Sequence, residues 1–135
     1  MRKVLLDINA FTYLFKGDEK ILDAISKTDT IYASIFVLGE LFAGFKGGSK
    51  ELQNKEILNR FLEKNTVEVL EATAETAEVF GQLKHELKIA GTPIPINHTW
   101  IASHALETGS IVITYDTHFQ HVKGLRLWDY FTFQE

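Results

Sequence analysis

The chain contains no cysteine among its 135 residues. This absence excludes disulfide bonds, thiolate catalysis and cysteine-ligated metal sites, and it fits a reducing compartment such as the cytoplasm. The sequence also has no apolar run near the roughly 18 residues that a membrane-spanning helix needs. Its first residues, MRKVLLDINAF, lack the small-residue cleavage site of a secretory signal. We therefore expect a cytoplasmic protein without a membrane segment.

An excess of positive charge is also missing. The formal net charge is −4, from 14 Lys and Arg against 18 Asp and Glu. Such a chain has no overall field that attracts nucleic acid, so a polyanion must meet a local basic patch or bound cations. The length and the 45% hydrophobic content suffice for one core but not for two. We expect a single domain over residues 1–135.

Short apolar runs alternate with helical patterns along the chain. The predicted strands cover residues 4–6, 31–33, 67–70, 111–114 and 125–128. The predicted helices cover residues 9–15, 17–25, 35–45, 50–64, 73–90 and 97–108. Continuously apolar strands separated by helices indicate a parallel sheet that is covered on both faces. The sequence therefore predicts a three-layer α/β/α sandwich with a parallel sheet of four or five strands.

Two of the predicted helices carry more apolar surface than one sheet face needs. Residues 35–45, IFVLGELFAGF, are apolar on every side except at Glu40, so this helix should be buried nearly all round. Residues 50–64 form a second, amphipathic helix directly after it. The surplus of apolar surface favours contact with another chain.

Three acidic residues fall where a parallel sheet binds ligands, at the carboxyl ends of its strands. Asp7 follows the first strand, Asp116 follows the fourth strand, and Glu40 lies on the helix after the second. Taken singly, Asp7 and Asp116 are better explained as cap or turn residues. Glu40 resists that explanation, because a carboxylate in an apolar helix is costly unless another group compensates it.

A divalent cation would compensate these acids if they converge. At a separation of about 4 Å, each pair of carboxylates repels by roughly 4 kcal/mol at an effective dielectric constant near 20. Hard oxygen ligands of this kind suit Mg²⁺ or Mn²⁺ better than zinc. If they converge, Asp7, Glu40 and Asp116 would be suitable ligands for such an ion.

Four segments together resemble the PIN-domain ribonucleases, and most of all the VapC toxins of toxin–antitoxin pairs. They are DIN at 7–9, FVLGELFAG at 36–44, PIPIN followed by TWIASHALETG within 93–109, and ITYDTHF at 113–119. The resemblance implies a parallel-sheet α/β/α sandwich that cuts RNA with Mg²⁺ or Mn²⁺, leaving 5′-phosphate and 3′-hydroxyl ends. It also implies a homodimer and a cognate VapB-like antitoxin.

The resemblance carries over to single residues. Asp7, Glu40 and Asp116 match the family's metal-binding and catalytic acids, while Asn9 and Thr114 match polar residues beside the first and the last of them. The chain departs from the family at His98, where an aspartate is usual.

The departure at His98 has a physical consequence. Asn97 is predicted to be an N-cap, which places His98 in the first turn of a helix, where the macrodipole favours an acid. Histidine puts a nitrogen in place of a hard oxygen ligand, and nitrogen suits Mg²⁺ poorly and Mn²⁺ somewhat better. We count His98 as a catalytic position and expect it to weaken the metal site and the ribonuclease activity.

Other residues that attract notice have plainer interpretations. His104 and His118 are interpreted as structural, and for His118 that role is local packing or an RNA contact. Trp100 and Phe119 are interpreted as core residues. Four lysines form either a patch for RNA phosphates or, as we favour, solvated helix faces: Lys46, Lys50, Lys84 and Lys88.

Three alternatives belong to other functional classes. A phosphoacceptor receiver domain needs an aspartate after its third strand, and residues 67–72, VEVLEA, offer none. A haloacid-dehalogenase-like phosphatase needs a second acid where Asn9 stands. The stronger alternative is a catalytically inactive PIN-fold module, natural or engineered, that binds an antitoxin or RNA. His98 keeps that alternative open.

Overall fold

The computed structural model describes residues 2–132. Within this range the strands are β1 (Lys3–Leu6), β2 (Thr30–Ser34), β3 (Val67–Leu70), β4 (Ile111–Ile113) and β5 (Arg126–Leu127). The α-helices are α1 (Ile8–Phe15), α2 (Glu19–Ser26), α3 (Ile35–Lys46), α4 (Glu51–Leu62), α5 (Ala74–Ile89), α6 (Ile96–Thr108) and α7 (Asp129–Thr132). A 3₁₀ helix covers Thr117–His121. The predicted strands and longer helices are all present, with ends that differ by one or two residues.

The sheet has the strand order β3-β2-β1-β4-β5, and every neighbouring pair is parallel. β1 lies in the centre of the sheet, and its Val4, Leu5 and Leu6 are buried there. Leu5 lies opposite Tyr32 of β2 on one side and Val112 of β4 on the other. Helices cover both faces of the sheet, which confirms the predicted three-layer sandwich.

The strand order reverses beside β1. The chain builds outward from β1 to β2 and β3, then returns to the other side of β1 with β4 and β5. In parallel α/β sheets such a reversal opens a crevice at the carboxyl ends of the two strands involved. The loops after β1 and β4 therefore meet at the position where a ligand site is expected.

Aromatic contacts join the helices on one side of the sheet. Phe11 of α1 is fully buried and meets Phe61 of α4 edge to face, with ring centroids 5.5 Å apart. Phe15, at the end of α1, packs against both rings. These contacts fix α1, and with it the residues at its N-terminus.

The start of α6 differs from the sequence prediction. The cap position is Pro95 rather than Asn97, and the helix begins at Ile96. The first turn closes when Thr99 N donates to the Pro95 carbonyl oxygen at 3.0 Å. Pro95 has φ −52°, close to the value its ring imposes, so the helix can start two residues early. The prediction that Asn97 caps the helix was wrong.

The surroundings of α3 also differ from expectation. Its buried residues are Val37, Leu38 and Leu41, whereas Ile35 keeps 42% of its surface exposed. The expectation of burial nearly all round is therefore wrong for the single chain, because α1, α4, α6 and β2 together cover only part of this helix. Among residues 2–132, none of the helices combines the length and the apolar character needed to cross a membrane.

Candidate metal centre

Asp7 ends β1 and starts α1, and its side chain is fully buried. One carboxylate oxygen, Oδ1, accepts a hydrogen bond from Ala10 N at 2.8 Å and so caps α1. The other, Oδ2, accepts from the Thr114 hydroxyl at 2.5 Å. The residue is therefore both a helix cap and a carboxylate at the switch point.

Thr114 ties the carboxyl ends of β1 and β4 together. Its hydroxyl donates to Asp7 and accepts from Asp116 N at 2.9 Å. Its carbonyl oxygen accepts from Trp128 Nε1 at 2.6 Å. One residue along, Tyr115 N donates to Asn9 Oδ1 at 3.3 Å. This network holds the loop after β4 against the start of α1.

Glu40 reaches the site from α3 and is held by α6. Asn97 Nδ2 donates to Glu40 Oε1 at 2.7 Å. Both side chains are half-buried, so the amide gives the carboxylate a partner that the apolar helix around it lacks. Asn97 therefore links α6 to α3 rather than capping α6.

Asp116 lies between two histidines. His98 Nε2 is 3.4 Å from Asp116 Oδ2, and His118 Nδ1 is 3.1 Å from Asp116 Oδ1. The two histidines meet through their Nδ1 atoms at 3.3 Å. Asp116 Oδ1 also accepts from His118 N at 2.9 Å and so starts the 3₁₀ helix. The turn interpretation of Asp116 is thus correct as well, and it does not exclude a role in the site.

The electrostatics of the site show a shortage of positive charge. The pKa of Asp7 is raised to about 7, mainly by burial; hydrogen bonds from Thr114 and Ala10 oppose the rise, and the negative charges of Asp116 and Glu40 add to it. A carboxyl group whose ionised form is disfavoured in this way is stabilised by a nearby cation.

His98 does not supply the missing charge at neutral pH. Burial lowers the pKa of His98, and His118 adds to that effect, while Asp116 and Glu40 oppose it. The short contact between His98 and Asp116 therefore joins a neutral ring to a carboxylate. It is not an ion pair under these conditions.

The histidine pair and Asp116 form the compact part of the centre. Within residues 2–132, the cluster with one ligand atom from each of three residues inside 4.8 Å is His98, Asp116 and His118. Asp7 and Glu40 connect to it through Thr114 and Asn97 rather than directly. The ligand set of Asp7, Glu40 and Asp116 stays a prediction.

His118 is the site residue that sequence reasoning missed. The available signal was its spacing, since Asp116 and His118 are two residues apart in one tight turn. His98 comes from the start of α6 and reaches the turn that holds Asp116 and His118. The His98 ring packs on Phe119 at a centroid distance of 5.0 Å.

The structural interpretation of His104 agrees with its contacts. It is buried, its Nδ1 lies 2.9 Å from Ser34 Oγ, and its Nε2 lies 3.2 Å from the Glu71 carbonyl oxygen. Ser34 Oγ already accepts from Phe36 N, so the Ser34 hydroxyl can donate its proton to His104 Nδ1. The proton on His104 Nε2 is then donated to the Glu71 carbonyl oxygen. These contacts are satisfied by the neutral ring.

The aromatic and lysine residues fall outside the centre. Phe119 is fully buried, and Trp100 is half-buried in a stack between Phe36 and Phe80, at centroid distances of 4.9 and 3.7 Å. Lys46 pairs with Glu51 at 3.2 Å. Four lysines are exposed, as expected of solvated helix faces: Lys46, Lys50, Lys84 and Lys88.

Comparisons with known proteins show which family the chain is similar to. The PIN domain family model matches residues 4–125. Ribonuclease VapC1 of Haemophilus influenzae is 30% identical over 131 residues, covering 93% of this chain and 96% of its own. The tRNA(fMet)-specific endonuclease VapC of Shigella flexneri is 32% identical over 134 residues, covering 96% and 99%.

A solved structure shows the same fold. VapBC-1 from nontypeable Haemophilus influenzae superposes with a TM-score of 0.84 at 29% identity, covering 96% of this chain and 98% of the other. With the family match over most of the chain and relatives of at least 30% identity along nearly its whole length, this protein belongs to the PIN-domain family and, within it, to the VapC ribonucleases.

Proposed function

We propose that the chain is a metal-dependent endoribonuclease of the VapC type, the toxin of a toxin–antitoxin pair, with its activity weakened by His98. The observation that carries this is the state of Asp7. Its carboxyl group is buried at the switch point, and burial together with the charges of Asp116 and Glu40 raises its pKa to about 7. Carboxyl groups held together at such a cost fit a site built for a cation.

Asp7, Glu40 and Asp116 are the proposed ligands, and their oxygen atoms form the donor set that Mg²⁺ or Mn²⁺ prefers. When bound, the ion would supply positive charge beside the phosphate and lower the pKa of water. Thr114 and Asn97 are positioning residues in this proposal, because each holds one carboxylate oxygen through a hydrogen bond.

The proposed substrate is RNA, cut by in-line attack of water to leave 5′-phosphate and 3′-hydroxyl ends. The related proteins of Haemophilus influenzae and Shigella flexneri are a ribonuclease and a tRNA(fMet)-specific endonuclease, which supports RNA as the substrate class. The net charge of −4 means that phosphates must be met locally, and the bound ion would be the strongest local positive charge.

His98 is proposed to weaken the Mg²⁺ form. The ring is neutral at neutral pH because burial lowers its pKa, so it neither adds a ligand charge nor balances the carboxylates. Nitrogen is also a poorer ligand than oxygen for Mg²⁺. Activity should be low and should favour Mn²⁺.

Two protein partners complete the proposal: a VapB-like antitoxin whose C-terminal segment covers the acid pocket, and a second copy of this chain. The structural neighbours include VapBC complexes from Haemophilus influenzae and Salmonella typhimurium. Exposed apolar residues on α3 and α4, among them Ile35, Leu52 and Ile57, fit burial by other chains.

A second candidate function is a catalytically inactive PIN fold that binds an antitoxin or RNA. His98 favours it, because a neutral imidazole stands where the family usually has a fourth carboxylate. Binding would then survive without cleavage, Asp7 and Asp116 would serve as cap and turn residues, and Glu40 would link α3 to α6 through Asn97.

The His98→Asp variant decides between these functions. An acid at this position gains roughly 0.3–1 kcal/mol from the helix dipole. Its repulsion from the other carboxylates offsets that gain until metal binds. With Mg²⁺ the variant should cleave RNA faster than the parent, and it should arrest growth when expressed without antitoxin. Mg²⁺ should also raise its thermal stability more than that of the parent, because the stabilisation by a bound ligand is RT ln(1 + [L]/Kd).

Asp7→Asn serves as the metal-site control in the same assays, and cleavage should disappear in it. Equal cleavage and equal metal affinity in the parent and His98→Asp would show that histidine is a tolerated substitute. Loss of cleavage in both, with antitoxin binding retained, would support the inactive module.

A further inference from the structure

The cluster of His98, Asp116 and His118 has the chemistry of a site of its own. It offers two imidazole nitrogens and one carboxylate, with one ligand atom from each inside 4.8 Å. The magnesium site expected from the carboxylates uses oxygen alone and includes neither histidine. The two donor sets share Asp116 but select different metals.

The distances inside the cluster fit ligands around one ion. His118 Nδ1 lies 3.1 Å from Asp116 Oδ1 and 3.3 Å from His98 Nδ1. Ligands about 2.0–2.2 Å from a zinc-like ion stand roughly 2.8–3.6 Å from one another at tetrahedral or octahedral angles. The third pair, His98 and Asp116, lies within 4.8 Å when each residue offers one ligand atom, so a bound ion would draw these two side chains closer together.

The cluster is held in this arrangement by contacts from outside it. The His98 side chain is nine-tenths buried, with its ring against Phe119. The carboxylate of Asp116 is fixed by the backbone of its own turn, since Oδ1 accepts from His118 N. The His118 side chain stays about half-exposed, so an ion can enter from solvent.

We propose that His98, Asp116 and His118 bind a first-row transition ion such as Zn²⁺ or Co²⁺, in preference to Mg²⁺. Two imidazoles with one carboxylate are typical ligands of such ions, whereas Mg²⁺ takes oxygen. Water or a carboxylate from Asp7 or Glu40 would complete the coordination. The site goes beyond the proposed ribonuclease activity, because its binding of metal does not require RNA cleavage.

Titration of the untagged full chain with ZnCl₂ tests this proposal by calorimetry, and CoCl₂ serves as a spectroscopic probe. We expect one equivalent of Zn²⁺ to bind, and Co²⁺ to give visible absorption bands that change when a nitrogen ligand is lost. An added histidine tag would mask the result, so the tag must be removed.

Matched variants locate the ion. His98→Ala and His118→Ala should each weaken Zn²⁺ binding by at least about tenfold, since even outer partners of metal ligands cost that much. His85→Ala, which removes an exposed histidine of α5, should leave the affinity unchanged. His98→Asp should lower the preference for Zn²⁺ over Mg²⁺.

The proposal is overturned if stoichiometric Zn²⁺ binding is absent, if His118→Ala leaves it intact, or if His85→Ala weakens it equally. Should His98→Ala fail to fold, His118→Ala alone decides, because its half-exposed side chain supports little packing. Zinc binding with this pattern but without RNA cleavage would uphold the site and count against the proposed function instead.

Discussion

Asp7 caps α1, and we propose that it also binds metal; the two roles have different physical requirements. As the cap of α1 it needs an oxygen that accepts from Ala10 N, and an amide oxygen serves equally well. As a metal ligand it needs a negative charge, which an amide lacks. Replacement of Asp7 by Asn therefore keeps one role and removes the other.

We expect Asp7→Asn to abolish metal-dependent cleavage while the metal-free fold stays equally stable or becomes more stable. Because the folded pKa of Asp7 is raised to about 7, its neutral form stabilises the fold at low pH, and that stability is lost as the pH rises toward 7. Relative to the variant, the parent should lose about 2 kcal/mol between about pH 5.5 and pH 8. Urea denaturation at both pH values measures this.

Asp18→Asn is a matched control, because Asp18 caps α2 through Ile21 N at 2.9 Å but lies outside the metal centre. Metal-dependent cleavage should persist in this variant. Strong destabilisation by Asp7→Asn at both pH values would show that capping is the main role of Asp7.

His104 should make stability depend on pH in the opposite direction. Burial lowers the pKa of His104, so below about pH 6.5 the unfolded chain takes up a proton that the folded chain resists. The free energy of unfolding therefore falls as the pH drops below that value. His104→Leu should lose about 1–3 kcal/mol at pH 8, since Ser34 and Glu71 lose their partner.

The difference in free energy of unfolding between the parent and His104→Leu should become smaller toward about pH 5.5. Only the parent contains this ring, whose protonation is unfavourable in the folded state. Thermal melting across that range measures the gap. A constant gap would mean that the ring is protonated equally well in the folded state. His98 has a lowered pKa in both proteins, so its contribution cancels in the comparison.

At the scale of elements, the start of α6 decides which polar groups meet. Because the helix begins at Ile96, Asn97 turns toward α3 and His98 toward the loop after β4. A start two residues later, as the sequence suggested, would have left Asn97 occupied with its own helix and Glu40 without this partner.

We expect Asn97→Ala to weaken the link between α3 and α6. A buried hydrogen bond to a charged group contributes about 1.5–3 kcal/mol to stability. Because Glu40 is only half-buried, the stability lost in Asn97→Ala should lie near or below the lower end of that range. Metal affinity should fall with it, because Glu40 loses its orientation. Chemical denaturation and metal titration measure the two effects.

Thr73→Ala is the comparison for that experiment. Thr73 caps α5 through a capping box with Thr76, away from the metal centre. Its removal should cost about 1 kcal/mol and leave metal affinity unchanged. Unchanged metal affinity in Asn97→Ala as well would remove Asn97 from the site.

For the whole molecule, the exposed apolar side chains of α3 and α4 argue for self-association. Leu52 keeps 82% of its surface exposed and Ile57 keeps 44%, both on α4, and Ile35 of α3 keeps 42%. Large apolar side chains exposed to this extent on neighbouring helices favour a protein interface. Light scattering should show a dimer at micromolar concentration.

Leu52→Lys should shift that dimer toward monomer, because a charge would have to be buried in the interface. Ile89→Lys is the matched control, since Ile89 is 72% exposed on α5, away from α3 and α4. A parent chain that is monomeric at every concentration would refute the dimer, and equal dissociation in both variants would place the interface elsewhere.

The sequence by itself determined the layers of the fold and the positions of three acids. Apolar runs of strand length separated by helical patterns leave few arrangements other than a covered parallel sheet, and acids after such strands must lie at its carboxyl edge. The predicted helices over 73–90 and 97–108 also agree with the Thr73 cap of α5 and with the end of α6 at Gly109, which has φ +67°. These features depend on neighbouring residues alone.

Only the tertiary structure decided what the site contains. Sequence patterns could not show that Asn97 meets Glu40 across 57 residues, or that His118 meets His98 across 20. Both contacts depend on where α6 starts and how it packs on α3 and the loop after β4. A shift of one residue turns a side chain by about 100° around a helix axis, so the local pattern can place the helix without fixing which groups face the metal centre.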